Sequence, residues 1–174
     1  LLLRSQKITS HIEEVSRAKS QLAYTVVAAL AARFEHALPL HEHVCFIIAG
    51  DIVYNMAHDV PRPERSTGKL VKGSDVDLVV IADPFFPKDL LEKLDEAIYL
   101  EKSRLLMAPH LHEEIDYIVK DVNRVMEQLQ FDSFKHMVAC KILHEGALLL
   151  GSLATAPYSL AAPFDGGTHR LTAI

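Results

Sequence analysis

The stretch KGSDVDLVVIAD, residues 72–83, constrains this chain more than any other. Side chains alternate along a strand, so Val76, Leu78 and Val80 point one way while Asp77, Val79 and Ile81 point the other. Beyond the aspartates both faces are apolar, the pattern of a central strand covered on both sides. Asp75 and Asp77 stand at its mouth and project to one side, about 7 Å apart at the backbone. Two ionised carboxylates at that distance repel each other. A divalent cation bridged between them removes the penalty and gains hard-cation-to-oxygen bonds.

The elements around this strand follow from periodicity. Val15, Leu22, Val26, Leu30 and Phe34 recur at steps of four or seven, which predicts a long helix. Ser10 with Glu13 has the form of a capping box and sets the expected start; Pro39 sets the end. VCFIIAGD then reads as the first core strand and IVYNMA as a helical turn. HDVPRPERSTGKLVKG, with two prolines, two glycines and four basic residues, reads as a mobile loop without periodicity. After PFFP a helix is expected over about residues 88–106, with Leu91, Leu94, Ile98 and Leu105 inward. EEIDYIVKD is the third strand. Helices follow over about 122–129 and from Asp132 or Ser133, through Phe134, Val138 and Ile142, to Gly146. From Ala154 onward there is no usable pattern.

Composition limits the possible functions. The chain has 174 residues, 49% apolar and 24% charged, enough to bury a core as one domain, or as one domain with a helical appendage. Its net charge of −5 offers no global basic field for nucleic acid. Cys45 and Cys140 lie far apart in apolar segments, which suits a reduced, cytoplasmic chain better than a disulfide framework. No signal-peptide order opens the chain, and Gly151, Pro157 and Pro163 break its most apolar late stretch, so no membrane span is expected. The chain begins LLLRSQ without a methionine, as a piece of a longer protein would. The domain is expected over residues 1–150 with its core at 44–120. The tail 151–174 is expected to lead toward a missing region.

Asp116 enters the third strand with the same sense as Asp75 and Asp77. Three carboxylates at one sheet edge can hold two Mg²⁺ ions roughly 3.5–4 Å apart, the arrangement used in phosphoryl or nucleotidyl transfer. The order of IIAGD, GSDVDLVV and EEIDYIV, over about Val44 to Val119, resembles the nucleotidyltransferase superfamily that includes DNA polymerase beta. KHMVACKILHEGALLLGS more loosely resembles the helix and strand that follow the catalytic half in its minimal members.

The resemblance implies an α/β (α+β) fold: a small mixed β-sheet with flanking helices packed on one side, a long N-terminal helix and C-terminal helices. It implies Asp75 and Asp77 as ligands of both metal ions and of the nucleotide triphosphate. Asp116 would bind the second metal and serve as, or beside, the base. Gly50 would let the backbone approach the phosphates at a helix start, and Asp51, Gly73 and Ser74 would join the nucleotide site. The implied cofactor is Mg²⁺ or Mn²⁺ and the substrate an NTP, ATP foremost. The acceptor would be a protein or small molecule rather than a long nucleic acid, with no membrane partner.

The chain departs from the pattern in two places. Asp51 stands where relatives carry Gly or Ser, and it suits a triphosphate neighbour only as a helix N-cap turned away. The 23 residues from 52 to 74 also make an unusually long link, carrying Arg62, Arg65, Lys69 and Lys72, which would fold over the phosphates or receive an acceptor. Glu114 is a same-face substitute for Asp116. The pairs HEH and HLH, at 41–43 and 110–112, lack zinc-ligand spacing. An inactive nucleotide- or partner-binding module and a second-messenger synthase are the alternative readings.

Overall fold

The computed structural model describes residues 2–151. Helix α1 (Leu2–Phe34) and the short α2 (Leu40–His43) lead into strand β1 (Val44–Ala49). A 3-10 turn, Gly50–Ile52, starts the long link, which contains β2 (Pro61–Pro63) and β3 (Leu70–Lys72). Then come β4 (Val76–Ala82), α3 (Lys88–Met107), β5 (Ile115–Asp121), α4 (Val122–Gln128), α5 (Phe134–Glu145) and β6 (Ala147–Leu150). The main sheet is mixed, in the order β5-β4-β1-β6. Here β4 and β5 run parallel, and β1 is antiparallel to both of its neighbours.

Both faces of the sheet are covered, which corrects the expectation of helices on one side. Phe46, Ile48, Val76, Leu78, Val80 and Ile115 pack with α1 residues Val26, Val27 and Leu30 and α3 residues Leu94, Ile98 and Leu105. The opposite parity, Cys45, Ile47, Val79 and Ile81, packs with Val125 of α4 and Leu143 of α5. Alternation along β4 and β5 places Asp77 and Asp116 on this second face, one step beyond its apolar cluster. Two short helices give that face a small cover, and the site lies beside it.

Three other expectations change. α1 starts at Leu2 rather than near Ser10. No proline or glycine interrupts residues 2–10, and the Thr9 hydroxyl donates to the Ser5 carbonyl, so local propensity carries the helix through the apparent capping box. The stretch 58–73 is not featureless, because β2 and β3 pair as an antiparallel hairpin. Its turn is held by Glu64, whose carboxylate accepts from the backbone N–H groups and hydroxyls of Ser66 and Thr67. These bonds keep the Glu64 carboxyl low, at about 2. Finally, α5 turns Phe134, Val138 and Ile142 outward and buries Ala139, Cys140 and Leu143. Ser133 caps its start, as expected. The residues from Ala154 onward lie outside the described region.

Candidate metal centre and nucleotide site

Strand register builds the cluster. Asp77 and Asp116 are direct partners across the parallel β4–β5 pair, and Asp75 precedes β4 by one residue. Asp75, Asp77 and Asp116 each bring one carboxylate oxygen into a group whose members all lie within 4.8 Å of one another. Burial pushes Asp77 up to about 6, and the negative charges of Asp75, Asp116, Asp51 and Glu114 add to the shift. A hard divalent cation fits this donor set: it needs several oxygen ligands, and its charge relieves the repulsion that raises Asp77. The three expected ligands are therefore brought together. Among the described residues the histidine pairs at 41–43 and 110–112 form no comparable group.

Gly50 serves this cluster directly. It directly follows Ala49, the register partner of Asp77, and has φ +73. A Cβ built there would fall 2.1 Å from Asp77 Oδ2. The bare backbone thus makes room for the carboxylate, a role that the phosphate-based expectation did not foresee. Gly73 (φ +62) makes room for backbone instead, since a Cβ there would meet the His58 carbonyl oxygen at 1.8 Å.

Asp51 does not cap a helix. Ala49 occupies the N-cap position of the 3-10 turn, with no side-chain cap. Asp51 Oδ2 instead accepts from the Ser74 hydroxyl at 2.9 Å. Ser74 is buried, and its Oγ also accepts from His58 N–H, so its hydroxyl is used to hold the link against Asp51. Asp51, His58, Arg62, Arg65, Ser74 and Asp75 are among the residues lining a cleft of about 270 Å³ beside the cluster.

The basic residues of the link separate by role. Lys72 Nζ donates to the His110 carbonyl, and Lys69 Nζ approaches Met107 Sδ. Arg62 turns inward to Gly73, Asp75 and Glu114. Arg65 remains exposed at the cleft. Glu114, weighed as a substitute for Asp116, is buried against Arg62 and does not belong to the cluster of three. Spacing along the chain carries no signal for that long-range pairing.

Residues 65–138 match the family model for the nucleotidyltransferase domain. That stretch of the chain is similar to the nucleotidyltransferase domain. The match spans Asp75, Asp77 and Asp116, begins inside the β2–β3 hairpin, and leaves Gly50 and Asp51 outside it. The mixed sheet and its helices are those of the nucleotidyltransferase fold. No curated protein and no solved structure matches the chain significantly.

Proposed function

We propose that the domain is a Mg²⁺-dependent transferase that moves a nucleoside monophosphate from an NTP, ATP foremost, to a hydroxyl group. The observation that supports it is the convergence of the Asp75, Asp77 and Asp116 oxygens within 4.8 Å beside an open cleft. Asp75, Asp77 and Asp116 would hold the cation, which supplies positive charge at the phosphates when bound. Asp116 is exposed, so an acceptor can reach it from solvent. Its carboxylate takes the hydroxyl proton as the acceptor oxygen bonds to the α-phosphorus. The bond from that phosphorus to the bridging oxygen breaks, and pyrophosphate leaves with the electron pair.

The acidic chain favours a protein side chain or a small molecule as acceptor over a long nucleic acid. The free, buried Cys45 and Cys140 fit a reducing compartment, and we assign the protein to the cytoplasm on that ground. Among the described residues no helix is long and apolar enough to cross a membrane.

One observation favours a second reading, an inactive nucleotide- or partner-binding module. Asp51 is fixed by Ser74 at the cleft wall, where its charge opposes a triphosphate. Incubating the protein with each NTP, Mg²⁺ and cell extract, followed by mass spectrometry, separates the two. The transferase yields a nucleoside monophosphate adduct that Asp77→Asn abolishes. Metal-dependent NTP binding without any adduct supports the inactive module. A dinucleotide or cyclic nucleotide product would instead identify a second-messenger synthase.

A further inference from the structure

The long link between Gly50 and Asp75 delivers one cation to the acidic cluster. Arg62 lies on β2, and its Nε donates to the Gly73 carbonyl at 2.7 Å. That bond leaves the other two guanidinium nitrogens facing carboxylates. Nη1 lies 2.8 Å from Glu114 Oε2, and Nη2 lies 3.4 Å from Asp75 Oδ1. Glu114 is two residues from Asp116 at the mouth of the same strand, where its carbonyl accepts from Val76 N–H. Its buried carboxylate is thus close enough to press on Asp77. Left alone, Glu114 would be a fourth oxygen donor beside the three aspartates. The permanently charged guanidinium pairs with it instead, as an ion pair at 2.8 Å whose angles are not those of a hydrogen bond.

We propose that Arg62 is the built-in counter-cation of this centre, withholding Glu114 from the ligand set and tuning how tightly the three aspartates take a divalent cation. The inference rests on the cation reading of the cluster given above. Arg62 acts through Glu114 and Asp75, so it is a positioning residue. Its charge opposes an incoming cation, while its hold on Glu114 keeps the ligand number at three. A guanidinium serving only to dock the hairpin would change stability and leave cation affinity alone.

Mn²⁺ titration by calorimetry, without nucleotide, tests this on the parent, Arg62→Gln, Glu114→Gln and the double variant. Removing a partly screened unit charge within ~10 Å of a divalent ion changes affinity by about tenfold. Arg62→Gln is expected to tighten Mn²⁺ binding by about that factor and Glu114→Gln to weaken it as much. The double variant loses one charge of each sign and should return to within about threefold of the parent. Equal affinity in all four proteins, or weaker binding in Arg62→Gln, overturns the inference alone. A parent that binds no Mn²⁺ overturns the cation reading and this inference with it. If Arg62→Gln fails to fold, adding it to Glu114→Gln must still tighten binding, because no buried carboxylate is then left unpaired. Failure to do so overturns the inference.

Discussion

Asp77 concentrates the physics of this protein in one carboxyl group. Its pKa is raised from 3.8 to about 6, chiefly by burial and then by Asp75, Asp116, Asp51 and Glu114. The folded state therefore holds the proton more tightly than the unfolded chain does. The contribution of Asp77 to the stability of the metal-free protein falls as pH rises through that window and levels off above about pH 7. Asp77→Asn removes the titration. In chelator, the variant and parent should melt together near pH 4 and differ by about 3 °C, in favour of the variant, by pH 7.5, a size discounted for solvent screening. Mg²⁺ with NTP should then raise the parent's melting point and leave the variant's unchanged. Parallel melting curves at every pH would remove the electrostatic account of the cluster. Gly50 offers a second test at this scale. Gly50→Ala must move the Asp77 carboxylate, because the new methyl would sit 2.1 Å from Oδ2, and must also hold an alanine at φ +73. We expect a stability loss of about 1–2 kcal/mol from the backbone and at least a tenfold loss of Mn²⁺ affinity by calorimetry. Retained affinity would mean that the carboxylate has another place to go.

Among the elements, the β2–β3 hairpin depends most on a single side chain. Its strands have three residues each, too few to be stable by ladder bonds alone. Glu64 supplies the missing acceptors for Ser66 and Thr67 at the turn. In Glu64→Ala, amide exchange at Ser66, Thr67 and Gly68 should accelerate by roughly tenfold or more, while β4 amides keep their protection. Uniform acceleration would show that the hairpin opens only with the whole domain. The same element marks where sequence reasoning runs out. β1, β4 and β5 were legible as β-branched apolar runs, and α3 as an apolar stripe at helical spacing. The hairpin has prolines in β2 and a turn fixed by side-chain bonds, neither of which leaves a period to read. In α5 the large residues at steps of four face solvent, and the buried stripe is the smaller set of Ala139, Cys140 and Leu143. Size misled the reading there. The three aspartates were legible because alternation and strand register fix their direction. The Arg62–Glu114 pair was not, since 51 residues separate its members and only the folded hairpin brings them together.

At the scale of the whole molecule, α1 does more than cover the sheet. Its inner stripe packs on β1 and β4, yet two of its buried positions are polar. The Ser16 hydroxyl accepts from Ala57 N–H, and Lys19 Nζ donates to the Lys72 carbonyl and to the Glu113 carboxylate. Ala57 and Lys72 lie in the link that carries the cleft, and Glu113 precedes β5. One lysine thus ties the N-terminal helix to both chain segments that enter the site. The pair is almost fully buried, with side chains 4% and 12% exposed. Removing one member of such a pair leaves the other as an uncompensated buried charge, at a cost of about 3 kcal/mol. For a chain of this size that is roughly 10 °C in melting temperature. Lys19→Ala should show this loss. Lys19→Met combined with Glu113→Gln, which keeps the volume and removes both charges, should recover at least half of it. Mn²⁺ affinity measured well below the melting point decides whether the tie also shapes the site. Slackening the base of the hairpin should weaken binding in Lys19→Ala and spare it in the double variant. A Lys19→Ala protein that melts within 2 °C of the parent and binds Mn²⁺ equally well would reduce α1 to a packing element.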